Sequence, residues 1–222
     1  MQKNLLISIV IGLVILLGAF WGFELWRNSS SATPSGLPII GFKTLVQKEV
    51  NGKMVVDSMD HVIPSFTLID QQGDTITEET VEGKIYLADF FFTSCPTICP
   101  KVKKNMKKVY NAYKDYPDFA ILSHSIDTKY DTVGRLAWYA DKFNIEAKTW
   151  HLLTGEKQQI YDLSYEYYIT ALEDQEAPGG FDHSGAVALV DRQRRIRGLY
   201  DGTDPAAMKD LKRDIALLME KE

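Results

Sequence analysis

From Leu5 to Phe23 the chain reads LLISIVIGLVILLGAFWGF, an apolar run without a charged side chain. At a helical rise of about 1.5 Å per residue, such a run crosses a hydrocarbon core of about 30 Å. It exceeds the roughly 7 to 15 residues of a signal-peptide core, and no A-x-A site follows it, so the pattern predicts an uncleaved anchor over residues 1–28. Lys3 precedes the run while Glu24 and Arg27 follow it. That slight bias puts the amino terminus in the cytoplasm and the rest of the chain on the periplasmic or other extracytoplasmic side of a single-pass protein. Residues 29–36 (SSSATPSG) are small, polar and interrupted by Pro34, the composition of a flexible linker. Residues 37–222 then carry mixed, periodic sequence without an internal repeat, which predicts one domain.

Within that domain the apolar period switches repeatedly. Lys84–Phe92 (KIYLADFFF) is an almost continuous apolar and aromatic run of strand length, as expected of a strand covered on both faces. Ala120–Ile126, Ala186–Val190 and the shorter Trp150–Leu153 read the same way. Between them lie helical stripes: Val102, Met106, Val109, Tyr110 and Tyr113; Leu136, Ala140 and Phe143; Ile160, Leu163 and Tyr167. A last stripe of Met208, Leu211, Ile215 and Leu218 follows Asp204-Pro205, a capping residue and a proline suited to the first helical position. Alternating strands and helices predict an α/β domain with a mainly parallel central sheet flanked by helices, ligands favouring the carboxyl ends of its strands. Phe66–Asp70 with the Gln71-Gln72-Gly73 turn predicts an extra hairpin before the sheet, and Arg194–Tyr200 an antiparallel strand after Val190.

Composition narrows the function. The chain has 222 residues, 45% hydrophobic and 25% charged, with a formal net charge of -5. An acidic chain has no electrostatic reason to approach nucleic acid, whose binding depends on cations that neutralise phosphates.

The only two cysteines sit together in Thr93-Ser94-Cys95-Pro96-Thr97-Ile98-Cys99-Pro100, at the carboxyl end of the best-defined strand. Pro100 suits the first turn of a helix, so Cys99 is expected at its N-cap. The helix dipole and Lys101, Lys103 and Lys104 would then favour thiolates. Spacing alone leaves three roles open: a structural disulfide, a redox pair and a metal site. His183 adds a third group, in the glycine-rich stretch Gly179–Gly185 read as a turn before the strand Ala186–Val190. Asp182 is a candidate for orienting it. His124 and His151 are read as ordinary packed or hydrogen-bonded residues. Two thiolates and an imidazole form a soft to borderline set suited to Cu(I), and the divalent affinity order favours Cu(II) over zinc. Zinc bound by two cysteines, one histidine and water is the rival. Because metal ligands must be reduced and deprotonated, a Cys95–Cys99 disulfide would expel the metal.

The ordered motifs Phe91–Pro100, Ser125-Ile126-Asp127 with Asp131-Thr132, and Asp182-His183-Ser184 resemble those of the Sco/SenC family of copper chaperones, and their order covers most of the domain. The resemblance implies a membrane-tethered thioredoxin-like fold with Cys95, Cys99 and His183 as copper ligands. It also implies delivery of copper to the binuclear copper site of cytochrome c oxidase subunit II, or reduction of that site's cysteines. Thr97 and Thr128 depart from the Asp and Pro common at those positions in the family, and neither is a ligand. Two other readings share the fold: an extracytoplasmic thiol-disulfide oxidoreductase using Cys95 and Cys99, and a non-enzymatic copper or redox sensor. Lys101, Lys103, Lys104, Lys107 and Lys108 are read as the solvated face of a helix. Arg192, Arg194, Arg195 and Arg197 are read as charges edging a strand.

Overall fold

The computed structural model describes residue 18 and residues 35–50 and 53–221. The anchor and most of the linker expected from the sequence lie outside these residues; among the described ones no helix is long and apolar enough to cross a membrane. The chain divides into two units, Met1–Pro38 and Ile39–Glu222, and every element named below belongs to the second.

A hairpin of β1 (Thr44–Val50) and β2 (Lys53–Met59) comes first. It is a separate two-stranded sheet with Leu45, Met54, Val56 and Met59 exposed, and it was not among the predicted elements. The second hairpin, β3 (Thr67–Ile69) with β4 (Thr75–Thr77), forms where it was predicted. A short 3-10 turn, Glu78–Val81, leads into the main sheet.

That sheet holds β5 (Ile85–Phe91), β6 (Phe119–Ser125), β7 (Trp150–Leu153), β10 (Ala186–Val190) and β11 (Ile196–Asp201), in the order β11-β10-β5-β6-β7. Every residue of β5 and β6 is buried, so apolar residues dominate β5 and the first half of β6 without alternation, and the polar ones, Asp89, Ser123, His124 and Ser125, are buried with them. Strands β5, β6 and β7 are parallel, joined by crossovers through α1 (Cys99–Tyr113) and α2 (Val133–Phe143). Strand β10 runs antiparallel to both β5 and β11, so β11 runs with β5, β6 and β7 and β10 alone is reversed in the mainly parallel sheet. After α3 (Lys157–Glu166) the chain forms a small hairpin, β8 (Ala171–Glu173) with β9 (Phe181–His183), at the carboxyl end of β5. It enters the sheet from that end, Val187 opposite Asp89 and Val190 opposite Tyr86, and so runs the other way. Helix α4 (Pro205–Lys221) closes the domain against α1 and β11, with Asp204 accepting the amide of Ala206 at 2.9 Å as its expected cap.

Two charges read as solvated are core residues. Arg197 is buried and paired with Asp191 at 2.9 Å, both side chains fully covered. Lys103 is 1% exposed and paired with Asp89 at 3.0 Å. In both cases an opposite charge met inside the domain is what makes burial tolerable. Lys101, Lys104 and Lys108 are exposed, as read.

Candidate metal centre

Strand β5 delivers Phe91 and Phe92 at its carboxyl end, and the chain then turns, Cys95 N donating to Phe92 O at 3.2 Å. The base of this loop is pinned from outside. Asp131 accepts the Thr93 amide at 2.9 Å, the Thr93 hydroxyl at 2.5 Å and the Ser125 hydroxyl at 2.6 Å, while Arg135 Nε donates to Thr93 Oγ1 at 2.9 Å. Asp131 therefore serves the site by fixing the loop, a role its spacing in the sequence does not disclose.

Helix α1 starts one residue earlier than expected. The amides of Lys101 and Val102 both donate to Ile98 O, at 2.9 and 3.0 Å, so Ile98 is the N-cap and Cys99 the first helical residue.

His183 is the last residue of β9, opposite Ala171, and not part of a loop. Gly179, Gly180 and Gly185 flank that short strand with positive φ values of 87°, 87° and 67°, conformations that admit glycine at little cost. A methyl on Gly179 would lie 2.8 Å from the Phe92 ring, so the hairpin loop rests directly on the end of β5. Phe92 also meets Phe181 at 4.9 Å and the edge of His183 at 5.1 Å between ring centroids. Asp182 is exposed, and alternation along β9 sends it to the face opposite His183. Among the described residues no hydrogen bond joins the two, so the expected orienting role is not seen.

The three candidate ligands converge. His183 Nε2 lies 3.5 Å from Cys95 Sγ and 3.2 Å from Cys99 Sγ. All three donor atoms fall within 4.8 Å of one another, all three residues are buried, and both cysteines are free thiols. A hydrogen bond from the Cys99 thiol holds Cys95 down at about 3, with His183 adding to the effect, while the same partner pushes Cys99 well up. A helix start that lowers both thiols, the expectation from sequence, acts against Cys95 itself at Cys99.

His124 and His151 stay outside the cluster. His151 Nδ1 is 3.0 Å from Asp70. His124 is buried on β6, stacked on Phe90 at 4.8 Å, and burial pushes it down to about 4.

The profile of the SCO1/SenC family matches residues 56–220. A SCO2-like protein of Rickettsia felis is 30% identical over 212 residues, covering 92% of this chain and 94% of its own. The solved structure of BsSco, described as having a disulfide switch and as a member of the Sco family of cytochrome c oxidase assembly proteins, matches with a TM-score of 0.63. It is 25% identical over 71% of this chain and 93% of that one. The copper-bound structure of Bradyrhizobium japonicum ScoI matches with a TM-score of 0.58 and 27% identity, covering 68% of this chain and 98% of that one.

Proposed function

The chain belongs to the SCO1/SenC family, and from that premise we propose that it holds copper through Cys95, Cys99 and His183 and serves in the assembly of cytochrome c oxidase. The observation that carries this reading is the approach of His183 Nε2 to within 3.5 Å of both sulfurs across 84 or more residues of chain. The donor set fits the ion. Two sulfurs and one imidazole suit Cu(I) and accept Cu(II). Copper supplies the cargo and its redox chemistry when bound; the protein supplies two sulfurs, which bind as thiolates, and an imidazole nitrogen facing both. Oxidation of the two thiols to a disulfide withdraws both sulfur donors, so metal retention and thiol redox state exclude one another.

The acceptor on this reading is the binuclear copper site of oxidase subunit II, reached either by transfer of copper or by reduction of that site's cysteines. The second act has its own support: two free cysteines four residues apart, the second in the first turn of α1, are placed as an attacking and a resolving thiol. The apolar run Leu5–Phe23 supports a tether to the membrane on which oxidase is assembled.

Copper titration of the reduced full chain, followed by sulfur-to-copper charge-transfer absorption, tests the site. The native protein is expected to bind one copper per chain, and His183→Ala to lose at least about a hundredfold in affinity, more than the about 10- to 100-fold typical of outer-shell changes. Cys95→Ala and Cys99→Ala should abolish the absorption band. A His183→Ala protein that binds copper like the native one would reduce the site to a plain dithiol.

A further inference from the structure

Arg135 lies in the first turn of α2, and its guanidinium is anchored at one end only. Its Nε donates to Thr93 Oγ1 at 2.9 Å, two residues before Cys95, where Asp131 already holds the Thr93 amide and hydroxyl. The group lies over the Trp138 ring at 4.1 Å and the Tyr130 ring at 5.1 Å, and these rings are 47% and 52% exposed. Lys142 Nζ lies over the same Trp138 ring at 5.2 Å. Among the described residues neither Arg135 Nη atom has a hydrogen-bond acceptor, neither is sealed from solvent, and no carboxylate pairs with the group. Pinning Thr93 accounts for Nε and no more. The rest is a receptor held ready. Stacking on the rings and the bond at Nε remove rotamer freedom that a long cationic side chain otherwise loses on binding. The two open Nη groups present a planar fork, which a carboxylate matches with two parallel hydrogen bonds. Exposed Lys101, Lys104 and Lys108 make the contrast, being point charges with no ring beneath them among the described residues.

We propose that Tyr130, Arg135 and Trp138 form the docking seat for a partner protein at the copper site, its ligand an Asp or Glu side chain flanked by apolar residues that cover the two rings. This rests on the reading of Cys95, Cys99 and His183 as the place where a partner meets the chain. Charge selects the occupant. The guanidinium has no counter-ion among the described residues and Lys142 adds a second cation beside it, whereas the chain as a whole carries a net charge of -5. An acidic segment is therefore repelled by the chain at large and attracted at this ledge, which fixes where it lands. Composition agrees, because Trp, Tyr and Arg are the residues in which interface binding energy concentrates. The bond to Thr93 joins the seat to the loop that carries Cys95, so a partner held there lies against that loop.

The test titrates a short peptide of alternating Glu and Ala, and its Gln counterpart, into the isotope-labelled full chain in lipid nanodiscs, and the amide shifts of α2 give the affinities. The native chain should hold the Glu peptide at least about tenfold tighter than the Gln peptide. Arg135→Ala and Arg135→Lys should both lose that preference, the second because a compact ammonium keeps the charge and not the fork. Trp138→Ala should weaken the Glu peptide about fivefold and leave copper affinity within about twofold. The exposed pair Lys104→Ala/Lys108→Ala should change neither by more than about twofold. Should Arg135→Ala fail to fold, Arg135→Lys and Trp138→Ala carry the same prediction. No preference for the Glu peptide in the native chain, a native-like Arg135→Lys, or a greater loss in the lysine pair overturns the seat. A native chain that prefers the Glu peptide but binds no copper keeps the seat and overturns the copper reading, whereas one that binds copper without the preference isolates the failure to the seat.

Discussion

Strands β5 and β9 each deliver part of one cluster, yet they are built to different standards. Strand β5 has seven buried residues and a hydrogen-bonded neighbour on each side, and the loop it feeds is pinned by Asp131 and capped by α1. Strand β9 has three residues, one neighbour and flanking glycines. The sulfurs are therefore fixed by the core, and the imidazole is held by a small hairpin that rests on Phe92 and, just after His183, is tied by Gly185 O to the Gly202 amide. A site that must keep a metal and also give it up is served by one rigid half and one yielding half.

Hydrogen exchange is the most direct way to break this comparison. Amides of Leu87–Phe90 should exchange near the global unfolding limit, and those of Asp182 and His183 at least about a thousandfold faster in the metal-free chain. Equal protection would show the hairpin to be as firm as the sheet. Next in size, Phe92→Ala should cost about 3 kcal/mol of stability in denaturant unfolding, as expected for a large core truncation. Stability unchanged within 1 kcal/mol would remove Phe92 from the rigid half.

The rigid half also carries an acid liability in His124. Its folded-state value of about 4 lies below the ordinary 6.5, so between those values the unfolded chain binds a proton that the folded chain refuses. Stability should fall as pH drops from about 6.5 to about 4, by up to about 3 kcal/mol from this group. His124→Phe should flatten the slope relative to the native chain, and an unchanged slope would assign it elsewhere. The smallest effect sharpens the other half: Phe181→Ala should leave global stability within about 1 kcal/mol but weaken copper binding about tenfold, measured by competition with a chelator. Equal losses in both quantities would make the hairpin part of the core.

The same difference governs how much the sequence disclosed. The rigid half was legible because β5 is apolar and aromatic apart from Asp89, β6 opens on an apolar run, and the cysteines follow at a strand-to-helix junction. The residues of β8 and β9 carry no period long enough to register over three positions each, so His183 was placed in a turn. Residue type and neighbouring glycines singled it out as a ligand candidate all the same. Lys103 was misread because a charged residue beside an apolar stripe has two resolutions, and only tertiary structure brings Asp89 to it. The clue was available on the other strand: a carboxylate in the middle of KIYLADFFF requires a buried partner. The direction of β10 was hidden for a different reason, since strand polarity depends on where the chain enters the sheet.

Cys99 and His183 are 84 residues apart in the chain. At a synthesis rate of about 5 to 20 residues per second, an amino-terminus-first chain presents both thiols several seconds before the imidazole follows. During that interval the two sulfurs stand without the imidazole that faces them in the folded domain. The three-membered donor set is therefore complete only once β9 has been made and paired with β8.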